Sequence, residues 1–167
     1  MNAFPMLARY NRWANERVYD AAAALPDADY HADLGAAFGS IAATLNHLVV
    51  GDLIWLSRFA GTPAPQLSLD STVAEDLPTL RQMRQTLDTE IVTFADQLTD
   101  AAIGATFSYT RATSPETLTE PIAPALVHFF NHQTHHRGQV HAMLTRLTGE
   151  APALDLIYFS RLHGAAA

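Results

Sequence analysis

Four long stretches of the chain repeat apolar residues every three or four positions, the period of one face of a helix, and proline or glycine closes three of them. The first runs from about Pro5 to Leu25 through Leu7, Tyr10, Ala14, Val18 and Ala21, and stops at Pro26-Asp27. The second runs from about Ser40 to Ala60, with Ile41, Leu45, Leu48, Trp55 and Phe59 on its stripe and a Gly61 to Pro65 stop after it. The third runs from Val73 or Ala74 to Leu98. Leu77, Leu80, Leu87, Ile91, Phe94 and Leu98 repeat there with near-heptad spacing, and Arg84 stands where another apolar residue belongs. Pro78 suits the first turn, where its missing N–H costs little. The fourth stretch spans about Glu120 to Leu147 and ends at Thr148-Gly149, a C-cap signal.

Four such helices around one core predict an all-α fold, an antiparallel-type four-helix bundle forming a single domain over residues 1–167. The loop from Gly61 to Thr72 is long for neighbouring antiparallel helices, so it predicts a crossover between the second and third. Before the fourth helix, Thr106 to Arg111 and Thr117 to Thr119 alternate β-branched and aromatic residues around Ala112 to Glu116, the pattern of a small hairpin. Leu154 to Leu162 is apolar enough to dock as a short strand or helix, and Gly164 to Ala167 should fray.

Composition narrows the function classes. The chain of 167 residues is 49% hydrophobic and 16% charged, which supports a packed core and excludes intrinsic disorder. Its formal charge is −7, and all 10 basic residues are arginines scattered singly, so no basic stripe points to nucleic acid. Cysteine is absent, which removes disulfides, thiolate metal sites and thiol nucleophiles. The longest apolar stretch, Leu48 to Phe59, is broken by Gly51, Asp52, Ser57 and Arg58, and the N-terminus lacks a secretory pattern. A cytoplasmic protein without a membrane partner is the expectation. No Gly-rich phosphate loop and no Gly-x-Ser-x-Gly elbow is present.

Histidine remains. Five of the 8 histidines fall between positions 128 and 141. Imidazoles four apart on a helix lie about 40° apart around its axis, so both can reach one ion. His128 with His132 and His132 with His136 have that spacing. Phe129, Val140, Met143 and Leu147 mark the apolar face; His136 lies at its centre and His132 about 40° to one side, while His128 and His135 lie about 80° and 100° away and His141 points outward. The inward pair is therefore His132 and His136. A third ligand is offered by His47, since only Asn46, His47 and Asp52 are polar between Leu45 and Leu56, although His47 lies off the densest stripe of its helix. Three neutral imidazoles suit Zn²⁺, Ni²⁺, Fe²⁺ or Cu²⁺ and leave a position open for water or substrate. Gln139, Asn46 and Asp52 are candidates to orient the rings. His31 and His163 read as surface residues.

The string Asn131-His132-Gln133-Thr134-His135-His136-Arg137-Gly138-Gln139 resembles the hallmark of the DinB/YfiT-like superfamily. Tyr10-Asn11-Arg12-Trp13-Ala14-Asn15 resembles its first-helix motif, and Asn46-His47-Leu48 followed by Trp55 its second-helix motif. The resemblance implies a four-helix bundle with a crossover, often a homodimer, holding one divalent metal ion (zinc, nickel or iron) per chain through His47, His132 and His136. His135 is the fallback ligand should the helix be rotated. It also implies a metal-dependent enzyme resembling thiol S-transferases, in which a thiol or water attacks a small organic electrophile, with a low-molecular-weight thiol as partner. A non-catalytic metal-binding or stress-response module is the alternative.

Overall fold

The computed structural model describes residues 2–110 and 116–164. Seven helices and one hairpin follow in the order α1 (Phe4–Ala23), α2 (Asp27–His31), α3 (Ile41–Phe59), α4 (Leu77–Asp96), α5 (Asp100–Ile103), β1 (Thr106–Thr110), β2 (Thr117–Pro121), α6 (Ile122–Thr148) and α7 (Leu156–His163). The chain is thus mostly helical, with one small two-stranded sheet. Among the described residues no helix is long and apolar enough to cross a membrane.

The four periodic stretches are α1, α3, α4 and α6, and their ends follow from capping chemistry. The Ser40 side chain accepts from the Ala43 N–H at the start of α3, and Gly149, in the left-handed region at φ 79°, closes α6. The third helix begins at Leu77, later than the Val73 or Ala74 start read from the pattern. Asp76 caps it by accepting from the Thr79 N–H, whereas the Val73 and Ala74 N–H groups donate to Asn46 Oδ1 at 2.7 and 3.1 Å. Glu120 likewise belongs to β2 and not to α6. The single-turn helices α2 and α5 were too short to show a period. The tail resolves as a helix, α7, with Phe159 buried against Tyr10 and Trp13.

Contacts fix the direction of each long helix. Arg9 pairs with Asp96 and Arg81 with Asp20, so α1 and α4 run antiparallel. Phe4 stacks on Phe130 and Arg137 donates to Asn11, so α1 and α6 run parallel. His47 meets His136 while Trp55 meets His128, which makes α3 and α6 antiparallel. Arg84 pairs with Asp52 and Phe94 stacks on Phe59, which makes α3 and α4 parallel. Because α3 and α4 point the same way, residues 60–76 must return along the length of the helices before α4 can start.

The hairpin pairs Thr106 with Pro121 through Thr110 with Thr117. The expected first strand reaches Arg111; that residue and residues 112–115 lie outside the described residues, as do Ala165 to Ala167 of the tail.

Apolar residues fill both ends of the helical core. Val18, Leu45, Leu48, Val49, Leu80, Met143 and Leu144 form one cluster, and Ala8, Ile91, Ala95, Phe129 and Phe130 another. Between them, along α1, α3, α4 and α6, lies a polar layer. Arg84, the interruption in the heptad of α4, is 2% exposed and places Nη1 2.5 Å from Asp52 Oδ2, with Nη2 3.1 Å from Asp88 Oδ1. Asn15 donates to Asp88 at 2.9 Å, Arg137 donates to Asn11 and to Asn15, Gln133 donates to Asp52, and Arg137 donates to Gln133 Oε1 at 3.4 Å, which closes the ring. Burial opposes the Arg84 charge, but the carboxylates of Asp88 and Asp52 outweigh it and hold its pKa above the ordinary value.

Candidate metal centre

His47 lies in the first half of α3, and His132 and His136 lie one turn apart on α6. Antiparallel packing of those helices carries the three rings together. Ring centroids are 5.0 Å apart for His47 and His132, 4.5 Å for His47 and His136, and 4.5 Å for His132 and His136. One nitrogen from each ring lies within 4.8 Å of the other two, so these three residues could hold a metal ion. His47 lies off its helix's densest stripe, yet it is 4% exposed, because α3 is buried on nearly every side.

Two of the rings have their tautomer fixed from outside. His47 Nδ1 lies 2.7 Å from the Leu69 carbonyl, and His136 Nδ1 lies 2.8 Å from Gln139 Oε1. A carbonyl oxygen only accepts, so both Nδ1 atoms carry the proton and both Nε2 atoms present a lone pair. His132 Nε2 approaches His47 Nε2 to 3.0 Å, which needs either a proton or a cation shared between them. Nitrogens each about 2.0–2.1 Å from one ion stand about 3 Å apart, so the observed spacing suits a shared ion. Three neutral nitrogen donors, two of them backed by carbonyl acceptors, are the ligand chemistry of imidazole-bound divalent metals.

Electrostatics keep the donors unprotonated. Burial lowers the pKa of His47 and His136, and burial together with the neighbouring imidazoles lowers that of His132 to about 3.

The segments around the rings explain their placement. Leu69 lies in the return segment 60–76, in a turn closed by Ser71 N–H donating to the Ser68 carbonyl and by Ser68 N–H donating to Ser71 Oγ. Asn46 anchors the far end of that segment through Val73 and Ala74, so the residue beside His47 sets the loop that orients His47. Phe38 stacks on His47 with centroids 3.9 Å apart and meets His136 edge-on, which shields one side. Gly51 faces His132: a Cβ there would sit 3.1 Å from His132 Cε1.

Other histidines stand apart. His128 is exposed, packed on Trp55 with its ring 5.8 Å from that of His132; exposed His135 lies beside His136 and Gln139. His31 and His163 are exposed on α2 and α7. Of the orienting candidates, Gln139 touches a ring directly, Asn46 acts through the loop, and Asp52 belongs to the polar layer instead. Sequence reasoning missed Phe38, the Leu69 carbonyl and Gly51. Only Gly51 left a trace, as a glycine inside an otherwise strong helical run.

A family model described as "DinB family" matches residues 1–164. Protein DinB of Bacillus subtilis (strain 168) is 29% identical over 153 residues, covering 88% of this chain and 87% of the relative.

Proposed function

The chain belongs to the DinB family, and on that premise we propose that His47, His132 and His136 hold one divalent metal ion in a metal-dependent enzyme. The reaction class is attack of a thiol or water on a small organic electrophile, similar to a thiol S-transferase. We take the four long helices as a single-domain four-helix bundle whose return segment 60–76 is the crossover, acting in the cytoplasm as a homodimer. The observation that carries the metal reading is the pair of carbonyl-fixed Nδ1–H groups, which turn two Nε2 lone pairs toward the third ring.

An ion bound there supplies Lewis acidity, lowering the pKa of a thiol or water so that the anion is available at neutral pH. The chain's own residues do the rest. The Leu69 carbonyl and Gln139 hold the rings in one tautomer, and Phe38 keeps water from one side of them. His128, one turn from His132, is exposed at the edge of the centre.

The test joins metal analysis to a thiol screen. Protein prepared without a polyhistidine tag is loaded with Zn²⁺, Ni²⁺ or Fe²⁺ and assayed with small thiols against alkylating electrophiles. Metal-dependent thioether formation that disappears in His132→Ala supports the enzyme. Stoichiometric metal without any exchangeable coordination position supports the alternative, a non-catalytic metal-binding module.

A further inference from the structure

One face of α3 carries His47, Gly51, Trp55 and Arg58 in order toward the hairpin. Facing it on α6 are His136, His132 and His128, then Ala125 and Pro124. Beyond the three-histidine centre this seam opens into a cleft of about 380 Å³ lined by Trp55, Glu120, Pro121, Pro124, Ala125 and His128. The cleft shares His128 with the surroundings of the centre, since that ring lies 5.2 Å from Trp55 and 5.8 Å from His132. Its volume falls in the range of small-molecule sites, and its walls are largely apolar.

Arg58 is outside the lining of the cleft itself and adjoins it through Trp55, at the hairpin end of this seam. Its guanidinium sits between two aromatic faces, 4.7 Å from the Trp55 centroid and 4.5 Å from that of Tyr109. Its Nε is buried without a hydrogen-bond partner, and among the described residues no carboxylate oxygen pairs with it. Residues 111–115, outside the described residues, include no aspartate or glutamate. Glu120 is the nearby anion, and Tyr109 already donates to its Oε2 at 2.9 Å. Burial disfavours the Arg58 charge and lowers its pKa from the ordinary value. The buried Nε is closed to a ligand, so a guanidinium held this way by stacking offers its two Nη groups to a planar, bidentate anion.

We propose that the Trp55–His128 cleft binds the organic body of a small carboxylate-bearing molecule, with Arg58 receiving the carboxylate and the opposite end lying at the histidine centre. The inference rests on the metal reading only for that opposite end. Along α3, Arg58 is eleven residues from His47, an axial distance of about 16 Å. The ligand is therefore elongated, with its reactive group and its carboxylate at opposite ends.

The experiment uses two series of probes on the full chain. ω-Mercaptoalkanoates of increasing length, from mercaptoacetate to mercaptodecanoate, are titrated against the matching ω-mercaptoalkanols, with the thiolate-to-Co²⁺ absorption of cobalt-loaded protein as the readout. Sulfur-free alkanoates are titrated against metal-free Trp13→Phe protein, in which Trp55 is the remaining tryptophan and its fluorescence reports the cleft. An advantage of the acid over the alcohol of about tenfold at one chain length, lost in Arg58→Gln and increased in Glu120→Gln, is the expected result. Equal binding of acids and alcohols at every length, with a normal thiolate band, overturns the inference and leaves the metal reading standing. Arg58-dependent quenching of Trp55 by alkanoates, with no thiolate band from any thiol, sustains the inference and removes the thiol reading. Should Arg58→Gln misfold, the wild-type preference and the Glu120→Gln increase still decide.

Discussion

Two polar clusters sit side by side on α6, and they are built on opposite terms. Gln133 and Arg137 belong to the buried ring with Asp52, Arg84, Asp88, Asn11 and Asn15; there cationic and amide donors meet carboxylate and amide acceptors, and the two cations balance the two carboxylates. His132 and His136, one residue before each, turn with His47 into a cluster that holds lone pairs and no anion. The first cluster is balanced in charge, although Arg84 Nε and Nη2 lack hydrogen-bond partners, and it acts as a structural lock between four helices. The second, with its tautomers fixed from outside by Leu69 and Gln139, is prepared for a cation. One nine-residue motif thus supplies both, by alternating which side of the helix each residue faces.

The largest effect separating the two clusters is on stability. Asp52→Ala leaves Arg84 buried without its closest carboxylate, and removing one partner of a buried ion pair costs about 3–5 kcal/mol. Urea denaturation should show that loss in metal-free protein. His132→Ala should instead leave metal-free stability within about 1 kcal/mol of wild type while eliminating stoichiometric metal binding. If both variants lost stability alike, the two clusters would not differ as described.

Smaller changes sharpen the contrast inside the metal centre. Gln139→Ala frees the His136 ring, and losing such an outer partner lowers metal affinity about 10–100-fold. Gly51→Ala forces the His132 ring to shift by a few tenths of an ångström, while alanine favours the helix by about 1 kcal/mol. It should weaken metal binding measured by competition with a chelator without lowering the metal-free melting temperature. His141→Ala should change neither.

Acid provides a further test, with a definite sign. His132 titrates at about 3 in the folded protein and near the ordinary histidine value of about 6.5 when unfolded, so between those values the unfolded chain binds more protons. Stability of the metal-free protein should therefore fall as pH drops from about 6.5 toward 3, and this part of the slope should vanish in His132→Phe. The lowered pKa values of His47 and His136 let those rings stay neutral, so metal release should begin below the ordinary histidine range.

Much of this was legible in the chain because the long helices carry a period and their ends carry capping residues. The inward pair on α6 followed from helix geometry, and the structure brings those residues to His47. What could not be read was non-local. Arg84 showed as a gap in a heptad, but its partner Asp52 lies 32 residues away. The start of α4 moved because Asn46, on another helix, captures Val73 and Ala74. The Leu69 group that orients His47 is a backbone carbonyl, which no side-chain pattern announces. His47 looked misplaced only because a stripe analysis assumes one buried face, and α3 has several.

The central claim is that three histidines form one cation site. Its most direct test is elemental analysis of the untagged protein after dialysis and after reconstitution with Zn²⁺, Ni²⁺ and Fe²⁺. The account predicts about one ion per chain in the wild type and none in His132→Ala or His136→Ala. No bound ion in the wild type under any of these conditions would contradict it.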